Sequence, residues 1–181
     1  MGTRIIFTIL TAILLQAPAI FAEDAGAEAK PPPELERFAS MIGVWDTVTS
    51  YRFSPDAAIY EERSVETIQW SVNRQFMISD QLAERAEQPN NKLVITSWDS
   101  TNKEYKMVDL SPTGEVVNLS ITFDGDIRRI LYYPRVAGRL VRAELTIETT
   151  SPAESRFRCD FMDQGETWRF AEGISKKRRA E

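Results

Sequence analysis

Three charged residues interrupt otherwise apolar stripes, and any chemistry would be sought there first. Asp80 falls in register with Phe76, Ile78 and Leu82. Glu172 falls in register with Trp168, Phe170 and Ile174, and Arg129 with Ile127, Leu131 and Tyr133. A charge on a buried face needs a partner, because taking it out of water unpaired is costly. If these faces look inward, Asp80, Arg129 and Glu172 form an acid–base set able to orient a ligand. Two inward carboxylates can also do general acid–base work, with Tyr105, Tyr132 and Tyr133 as further proton donors. The same residues fit a buried ion pair equally well, or a strand bulge that flips the register. Nothing in the spacing makes Asp80 and Glu172 meet.

A second constellation is aromatic. Trp45, Trp70, Trp98 and Trp168, with Phe76, Phe157, Phe161 and Phe170, either line a cavity or form an ordinary aromatic core. Aromatic spacing alone does not separate the two.

The composition removes many chemistries. The chain has no histidine, which excludes Ser–His–Asp and Cys–His catalysis, histidine-ligated haem and most zinc sites. No cofactor is expected. Oxygen-ligand calcium or magnesium sites remain open in principle, but Phe123-Asp124-Gly125-Asp126 runs straight into Arg128-Arg129 without the closing glutamate of a calcium loop. Asp124-Gly125 reads as a hairpin turn. The single cysteine, Cys159, cannot make an internal disulfide and reads as a small core residue. Arg158, its neighbour, points to the opposite face of a strand. The formal charge of −5 makes sequence-independent nucleic-acid binding a poor reading. The basic tail Lys176-Lys177-Arg178-Arg179 is too short and terminal to reverse it. Asn118-Leu119-Ser120 matches a glycosylation sequon, a motif common by chance.

These residues need elements to position them. Arg4, the apolar run Ile5 to Leu15, the break at Gln16 and Pro18, and Ala22 before Glu23 fit a cleavable secretory signal over residues 1–22. The eleven-residue run is short of the ~20 needed to cross a bilayer, so no stable membrane insertion is expected after cleavage. Loss of Arg4 takes the net charge from −5 to −6. No cysteine near the cleavage site supports a lipoprotein anchor, and the domain is expected to be periplasmic or secreted. Residues 23–33 are alanine-rich and acidic, end in three prolines, and read as a flexible leader. Leu35, Phe38 and Met41 or Ile42 recur at helical spacing, with Gly43 as the stop. From Val44 the period becomes two. The expected strands are 44–53, 60–70, 74–84, 92–99, 104–110, 115–123, 127–134, 139–149, 156–163 and 166–175, separated by Gly-, Pro- and Asn-containing turns such as Pro89-Asn90-Asn91. Val117, Leu119, Ile121 and Phe123 share one face, as do Val141, Ala143, Leu145 and Ile147, so each strand has a buried and a wet side. Short connections and no crossover helix predict an all-β fold over 34–181. The expected form is an antiparallel up-and-down barrel of about ten strands with a short N-terminal helix, a two-sheet sandwich being the alternative.

The short helix running into Gly43-Val44-Trp45 resembles the start of lipocalin-like (calycin) barrels. More closely, the chain resembles an uncharacterised bacterial family of that fold, a domain of unknown function. The resemblance rests on the order of Phe38 to Trp45, the Trp70-to-Phe76 strand pair, Ile95-Thr96-Ser97-Trp98-Asp99 with Lys103-Glu104-Tyr105, Thr122-Phe123-Asp124-Gly125, and the basic end at Arg178-Arg179. It implies a roughly ten-stranded barrel, with Gly43, Trp45 and Arg178 as structural residues. Arg178 or Arg179 would cover the Trp45 ring through a cation–π contact. The family usually has glycine in the turn after the Trp70 strand. Here Asn73 stands there, and asparagine tolerates left-handed geometry. Related haem-binding barrels use a histidine that this chain lacks.

The leading expectation is an exported barrel that binds a small, mostly hydrophobic molecule. Its candidate lining is Trp70, Phe76, Asp80, Trp98, Arg129, Phe157, Phe161, Trp168, Phe170 and Glu172. An envelope interaction or structural module without ligand is one alternative. A histidine-free enzyme using buried carboxylates is another, and it requires those groups to converge in a cleft.

Overall fold

The computed structural model describes residues 29–83, 92–112, 114–136 and 138–179. The expected signal at 1–22, most of the leader and the turn at Pro89-Asn90-Asn91 lie outside the described residues. A 3-10 helix (Leu35–Met41) precedes β1 (Gly43–Tyr51), β2 (Tyr60–Trp70), β3 (Met77–Ala83), β4 (Lys92–Asp99), β5 (Glu104–Leu110) and β6 (Val116–Asp124). There follow β7 (Ile127–Tyr132), the two-residue strands β8 (Arg135–Val136) and β9 (Arg139–Leu140), then β10 (Arg142–Ser151), β11 (Glu154–Asp163) and β12 (Glu166–Lys177). Ten strands close into one barrel in the order β1-β12-β11-β10-β7-β6-β5-β4-β3-β2, every pair antiparallel. This is the expected architecture, and closure leaves the ten-stranded sheet without an edge. The small β8–β9 hairpin hangs between β7 and β10, where a short turn running directly into one strand, 139–149, was expected.

Directly paired residues of neighbouring strands share a face, so the inside of the barrel can be traced around the ring. Ile121 pairs with Ile130, Ile130 with Leu145, Leu145 with Cys159, Cys159 with Ala171, and Ala171 with Tyr51 of β1. Met77, Thr96, Met107 and Leu119 form another such row. Inward positions are therefore odd in β1, β3, β5, β6, β10 and β11, and even in β2, β4 and β7.

That parity corrects four expected lining positions. In β3 the inward residues are Met77, Ser79, Gln81 and Ala83, so Asp80 and Leu82 face outward, and half-exposed Phe76 ends the preceding turn. In β7 Arg128, Ile130 and Tyr132 face inward and Arg129 faces out, within ion-pair reach of Glu144 at 3.4 Å. In β12 a bulge intervenes. Cys159 pairs with Ala171 but Asp160 with Arg169, leaving Phe170 as the extra residue. Phe170 and Ala171 both turn into the core, and parity reverses beyond them. Ser175 therefore faces in, while Glu172 faces out and takes a 2.9 Å bond from Arg169.

Both ends are packed. At one, Leu35 and Phe38 of the 3-10 helix lie over Trp45, Ile68 and Met77, with Trp70, Trp98, Tyr105 and Phe123 around them. The Tyr105 hydroxyl donates to the Glu34 carbonyl at 3.0 Å and ties down the start of the helix. At the other, Val141, Ala143, Phe161 and Ala171 pack with Tyr51, Tyr132, Trp168 and Phe170.

The helix stops at Met41, and Gly43 takes φ +141°, a left-handed value that favours glycine. A Cβ there would also lie 2.6 Å from Lys177 Cε. Trp45 is fixed by donating Nε1–H to the Met41 carbonyl at 2.7 Å. The cation over its ring is Lys177, with Nζ 5.6 Å from the centroid, and not the expected Arg178 or Arg179. The register explains this correction: Trp45 pairs directly with Lys177. Arg178, one residue on, turns outward and grips Asp46 at 2.6 Å. In the β2–β3 turn the left-handed residue is Arg74 (φ 54°), not Asn73. Asn73 contributes its side-chain oxygen, which accepts from Ser71 Oγ at 2.8 Å and from the Gln75 amide at 3.2 Å.

Candidate functional site

The barrel encloses a cavity of about 260 Å³. Along β1 its lining runs from Trp45 through Thr47 and Thr49 to Tyr51. The six residue-to-residue steps between them, at usual strand rise and tilt, amount to about 15 Å of barrel height. A volume of this size spread over that height is narrow. Its apolar wall includes Ile68, Met77, Val94, Met107, Leu119, Ile130, Leu145, Ile147, Phe157 and Phe170.

The remaining wall is polar, and most of it is self-satisfied. Thr47 and Ser175 hydroxyls share a 2.8 Å bond, and Gln81 donates to Ser64 Oγ at 2.9 Å. Ser79 donates to the Glu66 carboxylate. Lys92 approaches Asp109 at 3.8 Å. Two buried oxygens in the wall, Thr96 Oγ1 and Asp109 Oδ1, have no partner among the described residues. The Tyr132 hydroxyl lies 3.3 Å from Cys159 Sγ. Burial raises the pKa of the Cys159 thiol, which removes thiolate character at neutral pH. Burial, followed by the charge of Glu62, pushes the Tyr51 hydroxyl up to about 12.

Arg128 is the exception. Its side chain is 9% exposed, at the end of the cavity covered by the helix. One guanidinium nitrogen lies 3.2 Å from the Met41 thioether sulfur, and the group sits 5.9 Å from the centroid of the Phe38 ring. Among the described residues no carboxylate lies within 4.0 Å of it. Glu66 acts on it only at longer range. Desolvation lowers its pKa to about 10, so it remains charged at neutral pH.

The cavity's other end leads to aromatic side chains. Tyr51 and Phe170 line it, and Tyr51 stacks on Phe53 at 6.1 Å and Tyr60 at 6.5 Å. Phe53 is 63% exposed. A ladder of rings therefore connects the interior with solvent at the end opposite the helix.

The outer wall carries a second concavity, an open groove of about 880 Å³ across β1 and β10–β12. Its charges are mixed: Arg156, Arg158, Arg169 and Lys176 lie among Asp46, Glu148 and Glu172 around Val48 and Ile174.

No protein-family model matches the chain. No curated protein matches it either. Solved structures do. The crystal structure of Rv2717c from M. tuberculosis matches with a TM-score of 0.60 at 12% identity, covering 83% of this chain and all of that one. The S-type phycobiliprotein lyase CPES from Guillardia theta matches with a TM-score of 0.50 at 13% identity, covering 81% of this chain and 93% of that one. At such identities the likeness is one of fold: this is a lipocalin-like barrel.

Of the expected lining, Phe157 and Phe170 border the cavity. Trp70 and Trp98 belong to the cluster beneath the helix, and Phe161 and Trp168 to the cluster at the far end. Phe76, Asp80, Arg129 and Glu172 lie on the outer surface. Asp80 and Glu172 are separated there by β1 and β2. Tyr105 sits under the helix, Tyr132 faces in and Tyr133 is exposed. The convergent cleft required of a carboxylate enzyme at these residues is not assembled. The inward polar set instead includes Thr47, Thr49, Glu66, Ser79, Gln81, Lys92, Thr96, Asp109, Arg128 and Ser175. A signal for Arg128 was present: Phe123 faces in, and any two-residue turn near Asp124-Gly125 places even-numbered residues of β7 on the same face.

Proposed function

We propose that the chain is an exported carrier whose barrel interior binds a small, mostly hydrophobic molecule. The observation that carries this reading is the 260 Å³ cavity inside a closed barrel, whose wall combines apolar side chains with about as many polar ones. Liquid water occupies about 30 Å³ per molecule, so this space corresponds to roughly nine waters and suits a small ligand. Ten strands support such a space, because barrel diameter grows with strand number. The presence of a phycobiliprotein lyase among the structural neighbours is compatible with a small ligand in a barrel of this topology. Export is supported by the signal pattern over residues 1–22. Native mass spectrometry of protein purified from its host tests the binding. A bound small mass that disappears in Leu145→Phe supports the reading. Protein at its bare mass, with a crystal showing the interior filled by its own side chains, contradicts it.

One observation favours the envelope interaction module as a second reading. Outward apolar residues pair across β2–β6, with Asp80 between Leu82 and Ile78: Val65 pairs with Leu82, Ile78 with Ile95, Ile95 with Val108, and Leu110 with Val116. Leu82 is 54% and Val116 59% exposed. A partner captured from periplasmic extract, lost in Leu82→Ser and unaffected by Leu145→Phe, would favour this reading over the carrier.

A further inference from the structure

Arginine is rarely buried without an anion, because desolvating the guanidinium costs several kcal/mol that only an ion pair or a full set of hydrogen bonds offsets. Other arginines meet this rule at the surface: Arg129 with Glu144, Arg139 with Asp163, Arg169 with Asp160 and Glu172, Arg178 with Asp46. Arg128 is the most deeply placed charge in the cavity wall, and it has a thioether and the face of a phenyl ring. Neither is a charged acceptor. Glu66 lines the same cavity but lies beyond ion-pair distance and is engaged by Ser79. Thr96, fully buried in the same wall, has a hydroxyl with no partner among the described residues. The helix closes the cavity over Arg128, while the aromatic ladder of Tyr51, Phe53 and Phe170 marks the opposite end. The space between is narrow, its wall about half apolar, and its other charged side chains are Glu66 and the Lys92–Asp109 pair.

We propose that Arg128 is the anion-binding residue of the barrel, and that the ligand is a slender organic carboxylic acid. Its carboxylate is held by the guanidinium at the helix end, and its apolar body runs toward Tyr51 and Phe170. This rests on the carrier reading and gives it a ligand class. The narrowness of the cavity favours an unbranched body over a globular one. The planar fork of the guanidinium matches a carboxylate with two parallel hydrogen bonds. A neutral head group would leave the buried charge without an anion.

Isothermal titration of the full chain with decanoic acid and with decan-1-ol, a matched acid and alcohol, tests the proposal. Wild type should bind the acid roughly tenfold or more tighter than the alcohol, the difference expected when a buried cation gains a charged acceptor. Arg128→Met should lose that preference while keeping its affinity for the alcohol, and Arg128→Lys should retain part of it. If the Met variant fails to fold, the wild-type pair and the Lys variant still decide. Equal binding of acid and alcohol by wild type, or a preference that survives in Arg128→Met, overturns the role of Arg128 and leaves the carrier reading standing. Failure of both compounds to bind overturns both.

Discussion

Arg128 and Gly173 mark two opposite uses of the barrel interior, one holding a charge where packing alone would be more stable, the other holding nothing so that packing can occur. An unpaired buried cation is a stability cost, and the proposed anion site gives it a use. In ligand-free protein, Arg128→Met should leave the urea midpoint unchanged or raise stability by about 1–3 kcal/mol; a large loss would show that the thioether and ring contacts hold the helix in place. Glu66→Gln should tighten acid binding by removing a negative charge from the same cavity, and weaker binding would mean that Glu66 shapes the site. At Gly173 a Cβ would lie 2.2 Å from the Val48 carbonyl oxygen and 2.5 Å from the Phe157 ring. Gly173→Ala should therefore destabilise by about 1–3 kcal/mol in denaturant titration, as overpacked sites do.

Tyr51 gives the pH dependence at this scale. Its folded pKa is raised to about 12 from an ordinary 10.0, so the folded state holds the proton more tightly than the unfolded chain. The associated stability is present below pH 10 and is lost as pH rises toward 12. Burial also raises Tyr132, which adds to the loss, while the lowered pKa of Arg128 works in the opposite direction. Comparing wild type with Tyr51→Phe isolates the tyrosine: the variant should lose less stability between those two pH values.

Among the elements, the 3-10 helix is small but deeply engaged. Phe38 makes edge contacts with Tyr105 at 5.4 Å and Phe123 at 5.5 Å and covers Arg128. Phe38→Ala should cost about 3–5 kcal/mol, read from the thermal or denaturant midpoint. The helix, the Trp45 strand and the number of barrel strands were legible in the sequence, because a switch from helical to two-residue periodicity and recurrent turn residues carry that information directly. The facing of β3 and β12 was not. In β3 the inward set, Met77, Ser79, Gln81 and Ala83, is less apolar than the outward Ile78 and Leu82, so the usual sign of the alternation is inverted. In β12 the bulge at Phe170 adds one residue, and no local composition announces it. In β7 both faces look apolar, and only the hairpin register separates Arg128 from Arg129.

At the scale of the whole molecule, the closed sheet accounts for stability without a disulfide: the only cysteine is Cys159, which is free and buried. Denaturation should accordingly be insensitive to reductant. The proposed export predicts that N-terminal sequencing of protein from the host begins at Glu23; a chain retaining Met1 or Gly2 would contradict it. The central claim is that the interior is a binding site, and a crystal structure grown with decanoic acid tests it most directly. The account predicts one ordered acid inside the barrel, its carboxylate against Arg128 and its chain directed toward Tyr51 and Phe170. An interior occupied only by the protein's own side chains, or an acid bound solely in the outer groove beside Arg156 and Arg158, would contradict it.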